Sequence, residues 1–491
     1  MFTSILRSPT SFFDTTPTGR ILNRFSRDLD EIDVRVPYYL EFVLQGILSV
    51  LGQAILVCII YPWFTIPLAT VTVLFVILDL FLNAGVRELK RIDSIRKSPV
   101  IQHIGSTLSG LSLIRVFNQQ TLFTKRMYHY LDEHMAAQLV YRLSSRWYVF
   151  RTDMLSFAIN VCITAICIYT KGVVSTATVG LALASMSSVC DFFPYLMKMK
   201  SEFQSRFTAV ERLVEYSYDL ESEAPLEDLG KSVPRDWPEF GKVEIKNVSL
   251  RYRPELPLVL HDIEATFNPG QKIGVVGRTG AGKSSLITTL LRLVETEKGS
   301  VIIDGVNVAS IGLHTLRSAI SVIPQDPILF QGSIRYNLDP FDEHSDMAVW
   351  EALEQSNLKK VVEQLELGLQ APVATAGENF SVGERQLICL TRALLRKSKI
   401  LLLDEATASV DLETDQMIQK TIREAFIHST VITIAHRLNT ITNYDKILVL
   451  QDGKIVEFDA PDTLMEREGS LFREMMQAMG VSTVEKMNAL T

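Results

Sequence analysis

The sequence predicts two folds in series: an α-helical membrane domain of four spans, then an α/β domain of buried strands alternating with helices. Three observations predict this. Residues 42–78 hold no Asp, Glu, Lys or Arg. Two further uncharged runs, 154–170 and 173–190, are parted only by Lys171 and Gly172. From residue 241 onward, short Ile/Val/Leu stretches recur between helical patterns, as in KIGVVG, ISVIPQ, ILLLDE and TVITIAH. Strands of that composition are buried on both faces of a sheet.

At 491 residues the chain is too long for one small module. With 47% hydrophobic residues it is not disordered. Lys and Arg number 49 against 56 Asp and Glu, so no basic excess points to nucleic acid as a partner. Five cysteines show no CxxC or disulfide-style spacing, and four of them sit in apolar runs as small hydrophobes.

Each element follows in order. Residues 1–37 read as a polar helical connector, an opening that suggests further chain before it. A span needs about 20 apolar residues, so 42–78 holds nearly two. Tyr61, Pro62, Trp63 and Pro67 mark the hairpin between them. The runs 154–170 and 173–190 supply a second pair. Between the pairs, residues 87–146 carry ten Lys/Arg against four Asp/Glu, whereas the short connections 61–67 and 171–178 carry one lysine. That bias places the long loop and both termini in the cytoplasm. Ile101, Ile104, Leu108, Leu111, Ile114 and Phe117 repeat at helical spacing. They either rest on neighbouring helices or dock into a soluble domain. The stretch 220–240 is rich in Glu, Asp and Pro and reads as a domain boundary.

The chemistry lies beyond that boundary. Gly277-Arg278-Thr279-Gly280-Ala281-Gly282-Lys283-Ser284 is G-x-x-x-x-G-K-S between a strand and a helix. Glycines let backbone N–H groups curl around phosphates, and the helix N-terminus faces them. Lys283 reaches the β/γ-phosphates and Ser284 is a Mg²⁺ ligand. Asp404 and Glu405 end the strand ILLLDE. Asp404 is placed for the Mg²⁺ shell and Glu405 for polarising the attacking water. Trp147 and Arg151, at i and i+4, share one face at the start of the third span. They suit either an amphipathic organic anion or anchoring at the interface.

These motifs resemble those of the ATP-binding-cassette (ABC) transporters. NFSVGERQLICLTRALL, residues 379–395, looks like the ABC signature and its helix. The usual L-S-G-G-Q reads F-S-V-G-E, with Val382 and Glu384 as departures, and Glu384 sets an acid near a phosphate. GRILNRFSRDLDEID and YNLDPFDEH narrow the resemblance to the carboxy-terminal half of a subfamily C, multidrug-resistance-associated protein. The resemblance implies an exporter-type membrane domain lacking its first two helices, followed by a P-loop NTPase cassette. Residues 1–215 are then the partial membrane domain, with spans at about 40–61, 63–86, 147–170 and 173–197. Residues 216–240 are a linker, 241–480 the cassette and 481–491 a tail.

It also implies roles. Glu405, His436 and Gln325 are the catalytic set. Tyr252, Gly277, Thr279, Gly280, Ala281, Gly282, Lys283, Ser284 and Ser285 bind ATP, joined across a cassette pair by Ser381, Gly383 and Asp411. Ser284, Gln325 and Asp404 hold Mg²⁺. Coupling helices fall in 20–37 and 99–117. The implied function is ATP-driven efflux of organic anions, conjugates or xenobiotics, at the plasma membrane. Partners are a second cassette and the missing helices, in cis or from a second copy, and membrane lipid. The alternative is a truncated, non-transporting ATP-binding form that modulates a partner.

Overall fold

The computed structural model describes residues 1–170, 172, 174–227, 233, 234, 236–404, 412–435 and 437–478. The chain forms two compact units. One is Gly19–Asp219 with Met1; the other is Phe2–Thr18 together with Leu220–Thr491.

Two short helices, α1 (Phe2–Leu6) and α2 (Thr10–Thr15), belong to the second unit. The helical unit opens with α3 (Thr18–Asn23), two π-helical turns (Arg24–Asp28 and Glu31–Arg35) and α4 (Val36–Ile60). A tight turn at Pro62–Phe64 leads into α5 (Thr65–Ser109). Then come α6 (Leu111–Val116), α7 (Gln120–Tyr169) and α8 (Thr176–Val214). Among the described residues, four helical stretches are long and apolar enough to cross a membrane. The turn is fixed by its aromatics: Tyr61 and Phe64 are buried, while Trp63 is 79% exposed. Ser175 caps α8 by accepting the Thr178 N–H at 3.2 Å.

The spans expected to end near 86 and to begin near 147 continue as single helices. At 1.5 Å per residue, the 50 residues of α7 extend about 75 Å, against a hydrocarbon core of about 30 Å. The charged stretch 87–97 is simply the watered end of α5. That helix runs through Pro99 and stops before Gly110. Helices α5 and α7 pack along each other, as do α4 and α8. Gly46 permits the second contact, because a Cβ there would meet Leu196 at 2.7 Å. A core of Val57, Tyr61, Phe64, Ile163, Cys167 and Met186 joins the helices at the end that carries the Pro62–Phe64 turn. Most other apolar surface is open: the most apolar windows of the four helices are only 0–28% buried. Of the periodic residues at 101–117, Ile114 is buried, whereas Ile101, Ile104, Leu108, Leu111 and Phe117 are exposed. The stripe therefore does not rest on its own helices.

The second unit is α/β. Strands β1 (Val243–Leu250), β2 (Leu260–Phe267), β3 (Lys272–Val276), β4 (Lys298–Ile303), β5 (Val306–Asn307) and β6 (Ile320–Ile323) come first. They are interrupted by α9 (Lys283–Leu290) and α10 (Leu313–Ala319). A helical insertion follows: α11 (Ile334–Leu338), α12 (Asp346–Gln355), α13 (Lys359–Glu363) and α14 (Val382–Arg396). Two short strands, β7 (Gly332–Ser333) and β8 (Pro372–Val373), close on each other at its base. Then come β9 (Ile400–Asp404), α15 (Leu412–Ala425), β10 (Thr430–Ile434), β11 (Lys446–Gln451) and β12 (Lys454–Asp459), followed by the helices α16 (Pro461–Glu466) and α17 (Leu471–Ala478).

The main sheet runs β12-β11-β3-β10-β9-β6, parallel except for β12. A second, antiparallel sheet runs β2-β1-β4-β5. Among the described residues the unit has two large cores and a smaller one under its last helices. Of the large two, one holds both sheets and α9, and the other holds the helical insertion around α14.

The expected linker is tied down where it is described. Arg317 grips Glu223 with two bonds of 2.9 Å, and the Leu313 and His314 N–H groups donate to the carbonyls of Pro225 and Leu226. The amino-terminal segment docks on the same unit. Thr10 Oγ1 donates to the Leu293 carbonyl at 3.1 Å, and the Glu223 N–H donates to the Arg7 carbonyl. Docking thus lies at 2–18, upstream of the expected 20–37.

Candidate nucleotide site

Four parallel strands, β3, β10, β9 and β6, point their carboxyl ends to one edge of the main sheet. Register fixes this: Val275 pairs with Ile434, Ile434 with Asp404, and Ile323 with Leu403. Ligands of open parallel sheets bind at that edge. It gathers the loop after Val276, Asp404 at the end of β9, and Gln325 two residues past β6. Glu405, Asp411 and His436 lie outside the described residues.

The loop from Gly277 to Lys283 requires its glycines. A Cβ on Gly277 would stand 2.3 Å from the Leu450 carbonyl oxygen. Gly282 has φ +99°, and a Cβ there would meet Leu260 at 2.8 Å. At Gly280, φ is +85° and the space outside is open. Only glycine is at ease in such backbone. The β11–β12 turn braces the loop, since the Gly453 N–H donates to the Ala281 carbonyl at 3.2 Å. Lys283 Nζ curls back over the loop, donating to the carbonyls of Gly277 at 2.9 Å and Arg278 at 3.3 Å. Thr279 and Ser284 are exposed, whereas Ala281 and Ser285 are buried.

These residues fit a nucleotide with its divalent ion. The loop offers backbone donors, a lysine and the N-terminus of α9. Ser284, Gln325 and Asp404 offer oxygen donors, the class that Mg²⁺ takes. Tyr252 stands beside this set. Its hydroxyl shares a 2.9 Å hydrogen bond with Ser285 Oγ. The residue also lines a cavity of about 520 Å³ with Arg253, Thr10 and Glu221.

Ser381 and Gly383 belong to the other core. Ser381 is the N-cap of α14, and Glu384 completes a capping box. Ser381 Oγ accepts the Glu384 N–H at 3.2 Å, and Glu384 Oε2 accepts the Ser381 N–H at 2.7 Å. The unusual acid of F-S-V-G-E therefore spends one oxygen on its own helix end. Buried Cys389, further along α14, is no nucleophile: burial pushes its thiol up, against the pull of Arg392 and Arg385.

Sequence reasoning missed Gln386. Its amide Nε2 donates to the carbonyls of Pro324 and Gln325 at 3.1 and 3.0 Å, so α14 holds the segment that carries Gln325. Nothing in the local pattern marks it, because the contact spans about sixty residues.

In the helical unit, Arg151 lies over the Trp147 ring at 5.1 Å, but both residues are on the exposed side of α7. The nearby cavity, of about 370 Å³, is lined instead by Arg142, Arg146, Tyr148, Lys198 and Glu202. Helical spacing turns Arg146 to that cavity and Arg151 away from it.

Two family models match the chain: "ABC transporter transmembrane region" over residues 1–190 and "ABC transporter" over 260–408. ATP-binding cassette sub-family C member 2 of Rattus norvegicus is 44% identical over 484 residues, 99% of this chain and 31% of the relative. ATP-binding cassette sub-family C member 4 of Homo sapiens is 42% identical over 481 residues, covering 98% and 36%. ABC transporter C family member 8 of Dictyostelium discoideum is 40% identical over 478 residues, covering 97% and 30%. The chain spans about a third of the length of these relatives.

Proposed function

The chain belongs to the ATP-binding-cassette transporter family, and from that premise we propose that it works as the carboxy-terminal half of an exporter. One observation carries the reading: a four-span helical unit and a nucleotide cassette are continuous in a single chain. Matching members are larger, and the helices here leave most of their apolar surface open. The remaining helices and a second cassette come from a preceding half or from a second copy.

In this reading the backbone N–H groups at 277–284 bind the phosphates and Lys283 neutralises them. Ser284, Gln325 and Asp404 hold Mg²⁺, which when bound offsets charge on the transferred phosphoryl group. Glu405 takes a proton from the attacking water, and His436 contacts the γ-phosphate. Tyr252 stacks on adenine. Ser381, Gly383 and Asp411 serve the ATP of the opposite cassette. The cargo is an organic anion, a conjugate or a xenobiotic; the basic lining of Arg142, Arg146 and Lys198 supports an anion. The host is the plasma membrane, with both termini in the cytoplasm, as the Lys/Arg bias favours.

The test is Glu405→Gln in the assembled exporter. ATP is expected to remain bound while turnover is abolished; undiminished hydrolysis rejects the assignment. The size of the natural polypeptide tests the partnership. A band at two to three times 55.2 kDa on an immunoblot of source membranes supports a preceding half in cis. A band at 55.2 kDa favours the second reading, a short ATP-binding form that modulates a partner.

A further inference from the structure

The helical unit contains a polar cluster that neither the nucleotide site nor the cavity lined by Arg142, Arg146 and Lys198 uses. Asp28 and Glu31 are 3% and 6% exposed, one in each of the two π-helical turns between α3 and α4. Both reach α8. Arg212 grips Asp28 with two bonds, Nη2 to Oδ1 at 2.9 Å and Nε to Oδ2 at 3.2 Å. Arg24 Nη1 donates to Asp28 Oδ2 at 2.7 Å, and its guanidinium lies 5.1 Å from the ring centroid of buried Tyr216. Arg206 Nη1 donates to both oxygens of Glu31, at 2.5 and 2.6 Å. Four of these residues stand in π-helical turns: Arg24 and Asp28 in one, Glu31 at the start of the next, and Tyr216 in the turn Glu215–Asp219. Such turns disturb the regular ladder and mark functional positions in helices.

Stability does not explain the cluster. Buried ion pairs are weak stabilisers, because desolvation offsets attraction; their best-attested use is to fix register. The register fixed here is that of the two chain connections. The chain passes between its two units at Thr18/Gly19 and at Asp219/Leu220. Every residue of the cluster lies within thirteen positions of one of those junctions. Beyond the junctions, within the second unit, the same two strands of chain are bonded again through Arg7 and Glu223.

We propose that Asp28, Glu31, Arg24, Arg206 and Arg212 form a clasp that makes the two connections move as one, so that a cassette displacement reaches α4 and α8 together. They are positioning residues for energy coupling, distinct from those that bind ATP or cargo. The inference rests on the transport reading. In membranes carrying the intact exporter, ATP hydrolysis and ATP-dependent uptake of carboxyfluorescein into inside-out vesicles are measured on the same sample. Asp28→Asn and Glu31→Gln are expected to keep hydrolysis within twofold while lowering uptake per ATP at least fivefold. The exchange Glu31→Arg with Arg206→Glu is expected to restore the ratio. Should Asp28→Asn fail to reach the membrane, Glu31→Gln and the exchange carry the test. Variants that keep the wild-type ratio, or that lose hydrolysis and uptake in parallel, overturn the clasp alone. Wild-type protein that hydrolyses ATP without uptake overturns the transport reading and the clasp with it.

Discussion

At the scale of single residues, the signature acid is the clearest departure from its family, and its geometry says what the departure does. Glu384 and Ser381 satisfy each other's backbone donors at the start of α14. Glutamine fills the same box, since either side chain can accept at that position. Glu384→Gln is therefore expected to leave thermal unfolding unchanged. If the signature serves the ATP of a paired cassette, the substitution also removes a negative charge beside that phosphate, and the apparent Km for ATP should fall several-fold. An unchanged Km would mean that this half-site does not meet the nucleotide. Ser381→Ala should cost about 1 kcal/mol of stability through the lost cap, read by denaturant unfolding. In the phosphate loop, Gly282→Ala faces both strained φ and a close contact with Leu260. A loss of roughly 1–3 kcal/mol, with weakened binding of labelled ATP, is expected.

At the scale of elements, α11 shows how the helical insertion is anchored. Buried Arg335 donates to Asp339, Asp342 and Asp346 and to the carbonyl of His344. Burial alone would raise the Asp339 carboxyl. The N–H groups of His344 and Glu343 and the Arg335 guanidinium outweigh it and hold the group below its ordinary value. A depressed carboxylate stabilises the fold at all pH above the unfolded value, about 3.9, and the contribution is lost as pH falls through the folded value. Stability from this element should thus be flat from pH 7 to about 5 and drop below about 4. In Arg335→Met the acid-dependent part should shrink, with an overall loss on the order of 3 kcal/mol in urea unfolding. The parallel strands and the glycine loop were legible from sequence because period and spacing are local. So was YNLDPFDEH as a motif, though not its ion pairs. Gln386 and the docking of residues 2–18 were not legible, since both depend on partners far along the chain. Charge runs set the expected span ends, but a charged helix continues into water without a break, as α5 and α7 do.

At the scale of the whole chain, the decisive fact is that the phosphate loop and the signature sit on different cores. Ala281, Leu286 and Ile287 pack with the sheets, whereas Phe380, Leu387 and Ile388 pack in the helical insertion. If Ser381 serves an opposite ATP, one cassette supplies half of each of two sites and completes neither. Hydrolysis then belongs to a pair. Purified chain in detergent should show specific ATPase activity that rises with protein concentration where a second copy is the partner. Co-expression with a preceding half should give activity independent of dilution. The four helices point the same way, because their open apolar faces need lipid or further helices to cover them. Light scattering on the same samples reads the partnership directly, and the active fraction should coincide with the two-cassette species. Full activity in a fraction of single chains would show that one cassette suffices, and would remove Ser381, Gly383 and Asp411 from the ATP site.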